Sequence, residues 1–172
     1  MSPDLDQSSH APAVTVITAA KNAEPFISES IASILAQSWG DFEFIIVDDN
    51  SSDRTVSVIS AFSDSRIRLI SLPKSVGPCA ARNIGISGAK GRFIAILDSD
   101  DIAHKERLAK QVNFLESNLR CGAVGSWARV FGAYETVRRP PLGNDDLRGM
   151  MLFGNPFVHS TMMFRRDALP SD

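Results

Sequence analysis

Cysteine is scarce in this chain. Cys79 and Cys121 stand far apart with no CxxC pair, so no disulfide framework is expected and a reducing cytoplasm fits. The three histidines, His10, His104 and His159, lack the spacing of a zinc site. No stretch approaches the ~18 consecutive apolar residues of a membrane span. Neither sign of charge is in excess: the formal net charge is −2, which gives no broad drive toward nucleic acid or an anionic surface. The basic pairs Arg138–Arg139 and Arg165–Arg166 are local. Several motifs are also missing. Without GxxxxGK[ST] the chain is not a P-loop NTPase. Gly85, Gly88 and Gly91 are spaced GxxGxxG, so there is no dinucleotide fingerprint. No serine sits in a GxSxG elbow, and His159 has no evident nucleophile beside it. The opening "MSPDLDQSSHAP" lacks the basic start and apolar run of a signal peptide, and a flexible leader is expected over residues 1–12.

What is present is ordinary globular material: 172 residues, 44% hydrophobic and 22% charged, about one domain. "AVTVITAA" (13–20), "FEFIIVDD" (42–49), "RIRLISL" (66–72) and "RFIAILD" (92–98) read as strands, the first two buried on both faces. In the third, Ile67, Leu69 and Ser71 alternate with Arg68 and Ile70. Helical segments lie between them. Ile27, Ile31, Ile34 and Leu35 follow Pro25 on one face, and Thr55, Ile59 and Phe62 on another. "GPCAARNIGISGAKG" (77–91) suits a short helix packed closely on a sheet, and Leu108, Val112 and Leu115 mark a helix over 104–118. "CGAVGSWARVFG" and "FVHSTMMFRR" read as further strands around a polar, proline-containing stretch at 138–150. Four alternations predict an α/β fold: a doubly wound, mostly parallel sheet with helices on both faces.

In such sheets ligands bind outside the carboxyl ends of the strands. Asn22 and Glu24 follow the first strand, Asp48 and Asp49 end the second, Gly77 to Arg82 follow the third, and Asp98, Asp100 and Asp101 end the fourth. All four polar clusters therefore fall on one sheet edge. Three carboxylates at one strand end repel unless a positive group joins them. A hard divalent cation, Mg²⁺ or Mn²⁺, takes one or two protein carboxylates and completes its shell from water and phosphate. The plainer alternative is that Asp100 or Asp101 caps the following helix. Likewise Asn50 to Asp53 suit a strand-to-helix turn, while Asp48 or Asp49 could accept from a base N–H or a ribose hydroxyl. Arg82 could pair with a phosphate or with Asp48.

Together these residues resemble the family 2 glycosyltransferases of the GT-A fold, which move sugars from nucleotide diphosphates. The likeness rests on "VTVITAAKNAE", "FEFIIVDDNSSDRT", "SVGPCAARNIGISGAKGRFIAILDSDD" and "NPFVHSTMMFRRDAL", in that order, over roughly residues 13–170. The resemblance implies that Ala19, Asn22 and Glu24 line a nucleoside pocket and that Asp49 contacts the base. It also implies that Asp98 and Asp100 are the DxD holding metal and ribose–diphosphate, with Asp101 adjacent, and that Arg82 touches base or phosphate. A nucleotide-diphosphate sugar is the implied partner, Mg²⁺ or Mn²⁺ the cofactor, and transfer to an acceptor hydroxyl with inversion the implied reaction.

The sequence departs from the pattern at two points. Lys21 stands where an aromatic residue usually precedes the asparagine, so base stacking is weakened or Lys21 reaches an acidic group. The family's acidic general base follows the "MFRRDAL" segment, and Glu135, Asp145 and Asp146 do not match it. Residues 13–172 are therefore expected to be a C-terminally incomplete GT-A domain, with no nucleic-acid partner. Its expected place is the cytoplasm, with peripheral attachment to the inner face of the membrane open. The alternatives are a donor-binding domain without turnover, an Mg-dependent phosphoacceptor signalling domain, and a nucleotidyltransferase. The signalling domain leaves "GPCAARN" without a role, and the nucleotidyltransferase lacks its glycine- and lysine-rich loop.

Overall fold

The computed structural model describes residues 11–169, so most of the expected leader, and the chain from residue 170, lie outside the described residues. Strands β1 (Val14–Ala20), β2 (Phe42–Asp48), β3 (Ile67–Ser71) and β4 (Phe93–Ile96) alternate with helices α1 (Ile27–Leu35), α2 (Thr55–Ser60), α3 (Pro78–Ser87) and α4 (Arg107–Ser117). After them come β5 (Ala123–Val124), β6 (Ala128–Val130), β7 (Thr136–Arg138), α5 (Asn144–Met151) and β8 (Met163–Arg165). The six-stranded main sheet runs β3-β2-β1-β4-β8-β5. β1 to β4 are parallel, and β8 lies antiparallel between β4 and β5. The polar stretch after residue 138 contains α5, which buries none of its own residues, and β6 and β7 form a separate two-stranded sheet.

Because side chains alternate across a strand, the sheet has two apolar faces. Val14, Val16, Phe44, Ile46, Phe93 and Ala95 face α1, α2 and α4, whose Ile27, Ile31, Ile34, Ile59, Leu108, Val112 and Leu115 complete one core. Ile17, Ile45, Val47, Ile94 and Ile96 face the other way, against the side that carries α3 and its Ala81. Helices thus cover both faces. β3 is an edge strand and keeps its expected alternation. Ile67 and Leu69 pack into the first core while Ile70 packs with Ala81 on the opposite face, so both faces of this strand are partly buried.

Two glycines set how closely the layers approach. A Cβ on Gly85 of α3 would stand 2.8 Å from Ile17 Cγ2. A Cβ on Gly91, in the turn into β4, would meet the backbone itself, 2.4 Å from Thr15 N and 2.6 Å from Val14 C. Gly91 also donates its N–H to Thr15 Oγ1 at 2.8 Å, which fixes the register of β4 beside β1. Backbone cannot yield as a side-chain tip can. Gly91→Ala is therefore expected to destabilise the fold by about 2–3 kcal/mol in urea unfolding. Gly40→Ala, with nothing within 4 Å of its Cβ, should stay within about 0.5 kcal/mol of the parent. Equal midpoints for the two variants would overturn this account.

Candidate functional site at the carboxyl edge of the sheet

β1 pairs with β2 on one side and β4 on the other, so the crevice at its carboxyl end is the switch point of the sheet. The sequence places its polar clusters there, and the structure shows what each one holds. Ala19, half-buried, aligns with Val47 and packs on the α3 face. Asn22 takes a positive φ of 49°. Its N–H donates to Ser51 Oγ at 2.9 Å and its Oδ1 accepts from Ser52 N at 2.9 Å. Glu24 accepts from Arg54 Nε at 2.9 Å and Arg54 N at 3.0 Å, and donates its own N–H to Asp53 Oδ2. Asn22 and Glu24 therefore zip the β1–α1 turn to the β2–α2 turn with these polar atoms. Asp53 also accepts from Thr55 N and Oγ1, which gives residues 50–53 the turn chemistry expected of them.

Asp49 is 2% exposed and holds the next loop. Its carboxylate accepts from Ser75 Oγ at 2.7 Å, Val76 N at 2.6 Å and Gly77 N at 3.0 Å. Those donors, led by Val76 N–H, hold its carboxyl below the ordinary carboxylate range. Lys21 Nζ donates to the same Ser75 Oγ at 2.6 Å, so the lysine reaches the acidic group through a hydroxyl. Gly77, with φ 88°, then turns the chain into α3.

α3 carries Arg82, which pairs with neither Asp48 nor solvent alone: Nη2 donates to Asp98 Oδ1 at 2.6 Å. Its Nε is buried without a protein partner, as is Asp48 Oδ1. The backbone of Asp98 is pinned from several sides. Its N–H donates to Ser160 Oγ, its carbonyl accepts from Ser30 Oγ and Asp101 N, and the preceding Leu97 carbonyl accepts from Thr18 Oγ1. Asp100 is exposed at the tip of the turn. Neither Asp100 nor Asp101 caps α4, which begins only at Arg107 and has no side-chain cap. The carboxyl of half-buried Asp101 is pushed up, first by burial and further by Asp100 and Asp98, while Ser160 and Arg107 pull it down.

Behind the acids lies Arg107, which carried no assigned role in the sequence. It is buried, and Nη2 donates to the carbonyls of Ile96 (2.8 Å) and Met162 (3.1 Å) while Nε donates to Gln111 Oε1. Burial lowers its pKa to about 10, opposed by Asp101. It stays cationic at neutral pH. Ser30, Ser33 and Gln37 were also missed: Ser33 accepts from Ala103 N, and Gln37 binds His104 O and Leu108 N, so α1 and the residues just past its end hold the loop after β4. Their signal was legible in principle, as polar residues at spacings of three and four on the otherwise apolar α1 stripe.

The donor set fits a hard divalent cation. Asp98 keeps Oδ2 outside its bond to Arg82, Asp100 is exposed, and a cation of this kind asks for only one or two protein carboxylates. Among the described residues no group of three or more His, Cys, Asp or Glu side chains converges as an all-protein metal centre would.

Solved structures place this architecture among the GT-A glycosyltransferases. TarS of S. aureus superposes with a TM-score of 0.74 at 23% identity, over 89% of this chain and 47% of that one. A mannosyltransferase of Pyrobaculum calidifontis, solved with GDP-Man and Mn²⁺, gives 0.70 at 24% identity over 92% and 46%. The glycosyl transferase family 2 model matches residues 15–170, and the chain belongs to that family. An uncharacterised glycosyltransferase of Haemophilus influenzae is 36% identical over 91% of this chain and 52% of its own length. The succinoglycan biosynthesis protein ExoO of Rhizobium meliloti is 39% identical over 91% and 44%. The chain spans about half the length of these curated relatives. No helix among the described residues is long and apolar enough to cross a membrane.

Asp101 gives the edge a measurable pH signature. In the folded chain it keeps its proton above the ordinary value of 3.8. The folded state then binds more protons than the unfolded one, so this residue's contribution to stability is full below that value and is lost as pH rises through the folded value. Asp101→Asn removes the loss while leaving an acceptor for Ser160. The stability gap, variant minus parent, is expected to widen as pH rises from 3.8 through the folded value in stepped denaturant titrations. A gap that stays flat or narrows would sink the assignment.

Proposed function

We propose that this chain forms the donor-binding part of an inverting, metal-assisted glycosyltransferase whose donor is a nucleoside-diphosphate sugar. The observation that carries the reading is the pair Asp98 and Asp100 at the end of β4, with Arg82 on Asp98, at the switch point of a family 2 sheet. The neighbours support the donor class: TarS is solved with UDP and with UDP-GlcNAc, and the Pyrobaculum enzyme with GDP-Man and Mn²⁺. An E. coli relative, 43% identical over 124 residues, is named UDP-Glc:alpha-D-GlcNAc-diphosphoundecaprenol beta-1,3-glucosyltransferase. On that ground a lipid-linked or polysaccharide hydroxyl is the acceptor class proposed here, reached from the cytoplasmic side with peripheral membrane attachment.

In this reading Asp98 and Asp100 hold Mg²⁺ or Mn²⁺, which when bound neutralises charge on the leaving diphosphate as a Lewis acid. Ala19, Asn22 and Glu24 shape the nucleoside side of the crevice by fixing the two turns to each other. Asp49 positions the Ser75–Gly77 loop over the base and keeps oxygen lone-pair capacity for a base N–H. Arg82 supplies a guanidinium to the diphosphate. The bond between the anomeric carbon and the diphosphate oxygen breaks as the acceptor oxygen bonds the opposite face, and the hydroxyl proton passes to a general base. Asp98 and Asp100, engaged with the cation, are not that base.

Calorimetric titration of UDP, GDP and dTDP into the purified chain, with Mn²⁺ and with chelator, tests the reading. One of these nucleotides should bind in a metal-dependent manner, and Asp100→Ala should weaken it at least ~10-fold. No binding of any nucleotide, or binding indifferent to both chelator and Asp100→Ala, would refute it.

A further inference from the structure

We propose that Arg82 is a resident cation on the first carboxylate of the pair, which makes metal binding conditional on the nucleotide. The inference rests on the donor reading above and concerns this chain's own ion pair.

Without donor, the Asp98 carboxylate is already half-neutralised: Arg82 Nη2 donates to Oδ1 at 2.6 Å. A cation arriving alone must share Asp98 with that guanidinium and bear its repulsion. The pair is also built to let go. Among the described residues the Arg82 side chain makes one hydrogen bond, its Nε is buried without a partner, and the Arg82 and Asp98 side chains are 20% and 30% exposed. A guanidinium with an unmatched donor gains bonds by turning to a diphosphate, whose oxygens can take two N–H groups side by side. Turning releases Asp98 Oδ1 to the metal. The nucleotide then brings anionic oxygens and frees a protein ligand in one step, so each ligand strengthens the binding of the other. Asp98 itself need not move, because Ser160, Ser30 and Asp101 pin its backbone. Arg107 cannot take over the part, since two carbonyls and Gln111 fix it behind the strand.

The signature is a pair of effects of opposite sign. In the full chain, Mn²⁺ binding without nucleotide is read from the loss of the free-ion paramagnetic resonance signal. Arg82→Met should bind Mn²⁺ alone roughly 10-fold more tightly than the parent, because a charge-assisted bond and a repelling charge are both gone. The same variant should bind UDP or GDP more weakly, and the enhancement of Mn²⁺ affinity by nucleotide should shrink. Arg82→Lys, which keeps a cation without the fork, should fall between the two. Adding Asp98→Asn to Arg82→Met should abolish the gain in Mn²⁺ affinity. Circular dichroism and melting confirm folding, and Arg82→Gln replaces Met if that variant is misfolded.

Unchanged, weaker or absent Mn²⁺ uptake by the folded variant would overturn the proposal, because an arginine that merely props Asp98 in place predicts loss. The metal-alone comparison does not involve nucleotide. A parent chain that takes up Mn²⁺ yet no nucleotide would therefore refute the donor reading while leaving the Arg82 comparison decided on its own.

Discussion

The polar edge depends on how closely β4 can lie beside β1. Gly91 permits that approach, because any side chain there would enter the backbone of Val14 and Thr15. With β4 seated, Leu97 N reaches Ile17 O and Thr18 Oγ1 reaches Leu97 O. These bonds carry the β1–β4 alignment past the last ladder residue, Ile96. The chain leaves the sheet at Asp98 with its direction already fixed. A carboxylate cluster needs this kind of placement, since charges that repel will otherwise relax away from one another. β1 pairs with β2 on its far side, which brings Asp48 and Asp49 to the same rim.

The charges at that rim are balanced by unlike means. Asp49 is satisfied by hydroxyl and backbone donors and is held ionised. Asp101 is only half-satisfied and favours its proton more than a free aspartate does. Asp98 has a guanidinium, and Asp100 has solvent. Four aspartates brought to one rim are thus given different surroundings by burial and by the number of donors aimed at each.

Much of this was legible in the sequence, for definable reasons. The four parallel strands are short apolar runs, and the carboxyl ends of β1, β2 and β4 announce themselves by abrupt changes to Asp and Asn. The face assignments of α1 and α4 follow from 3.6-residue spacing. Three kinds of information were not local. β8 inserts between β4 and β5 from far along the chain, and no periodicity in "MFR" names its neighbours. β6 lies within "CGAVGSWARVFG", which reads as strand, but its pairing with β7 is not local, and α5 falls mostly in the polar stretch at 138–150, which carries no helical pattern. The partners of Arg82 and Arg107 depend on distances across the fold, so the sequence could offer Asp48 as a partner for Arg82 where the structure gives Asp98.

The two arginines show why residue type alone does not assign a role. Arg107 has three acceptors, is buried, and even with its pKa lowered to about 10 keeps its charge at neutral pH. Removing or turning it would take a donor from the Ile96 carbonyl and from Gln111 Oε1, at a cost of ~1–3 kcal/mol for a buried group left unsatisfied, while the Met162 carbonyl would keep only the Ile96 N–H. It is a fixed counter-charge. Each arginine keeps one buried nitrogen without a partner, Nη1 in Arg107 and Nε in Arg82, but Arg82 has one acceptor where Arg107 has three, and it is partly exposed. Little is lost if it turns, and a ligand with more acceptors than one carboxylate oxygen would be favoured over Asp98. Placing the immobile cation behind the acidic turn and the movable one in front keeps the carboxylates together without donor, and leaves the front of the cluster open to exchange.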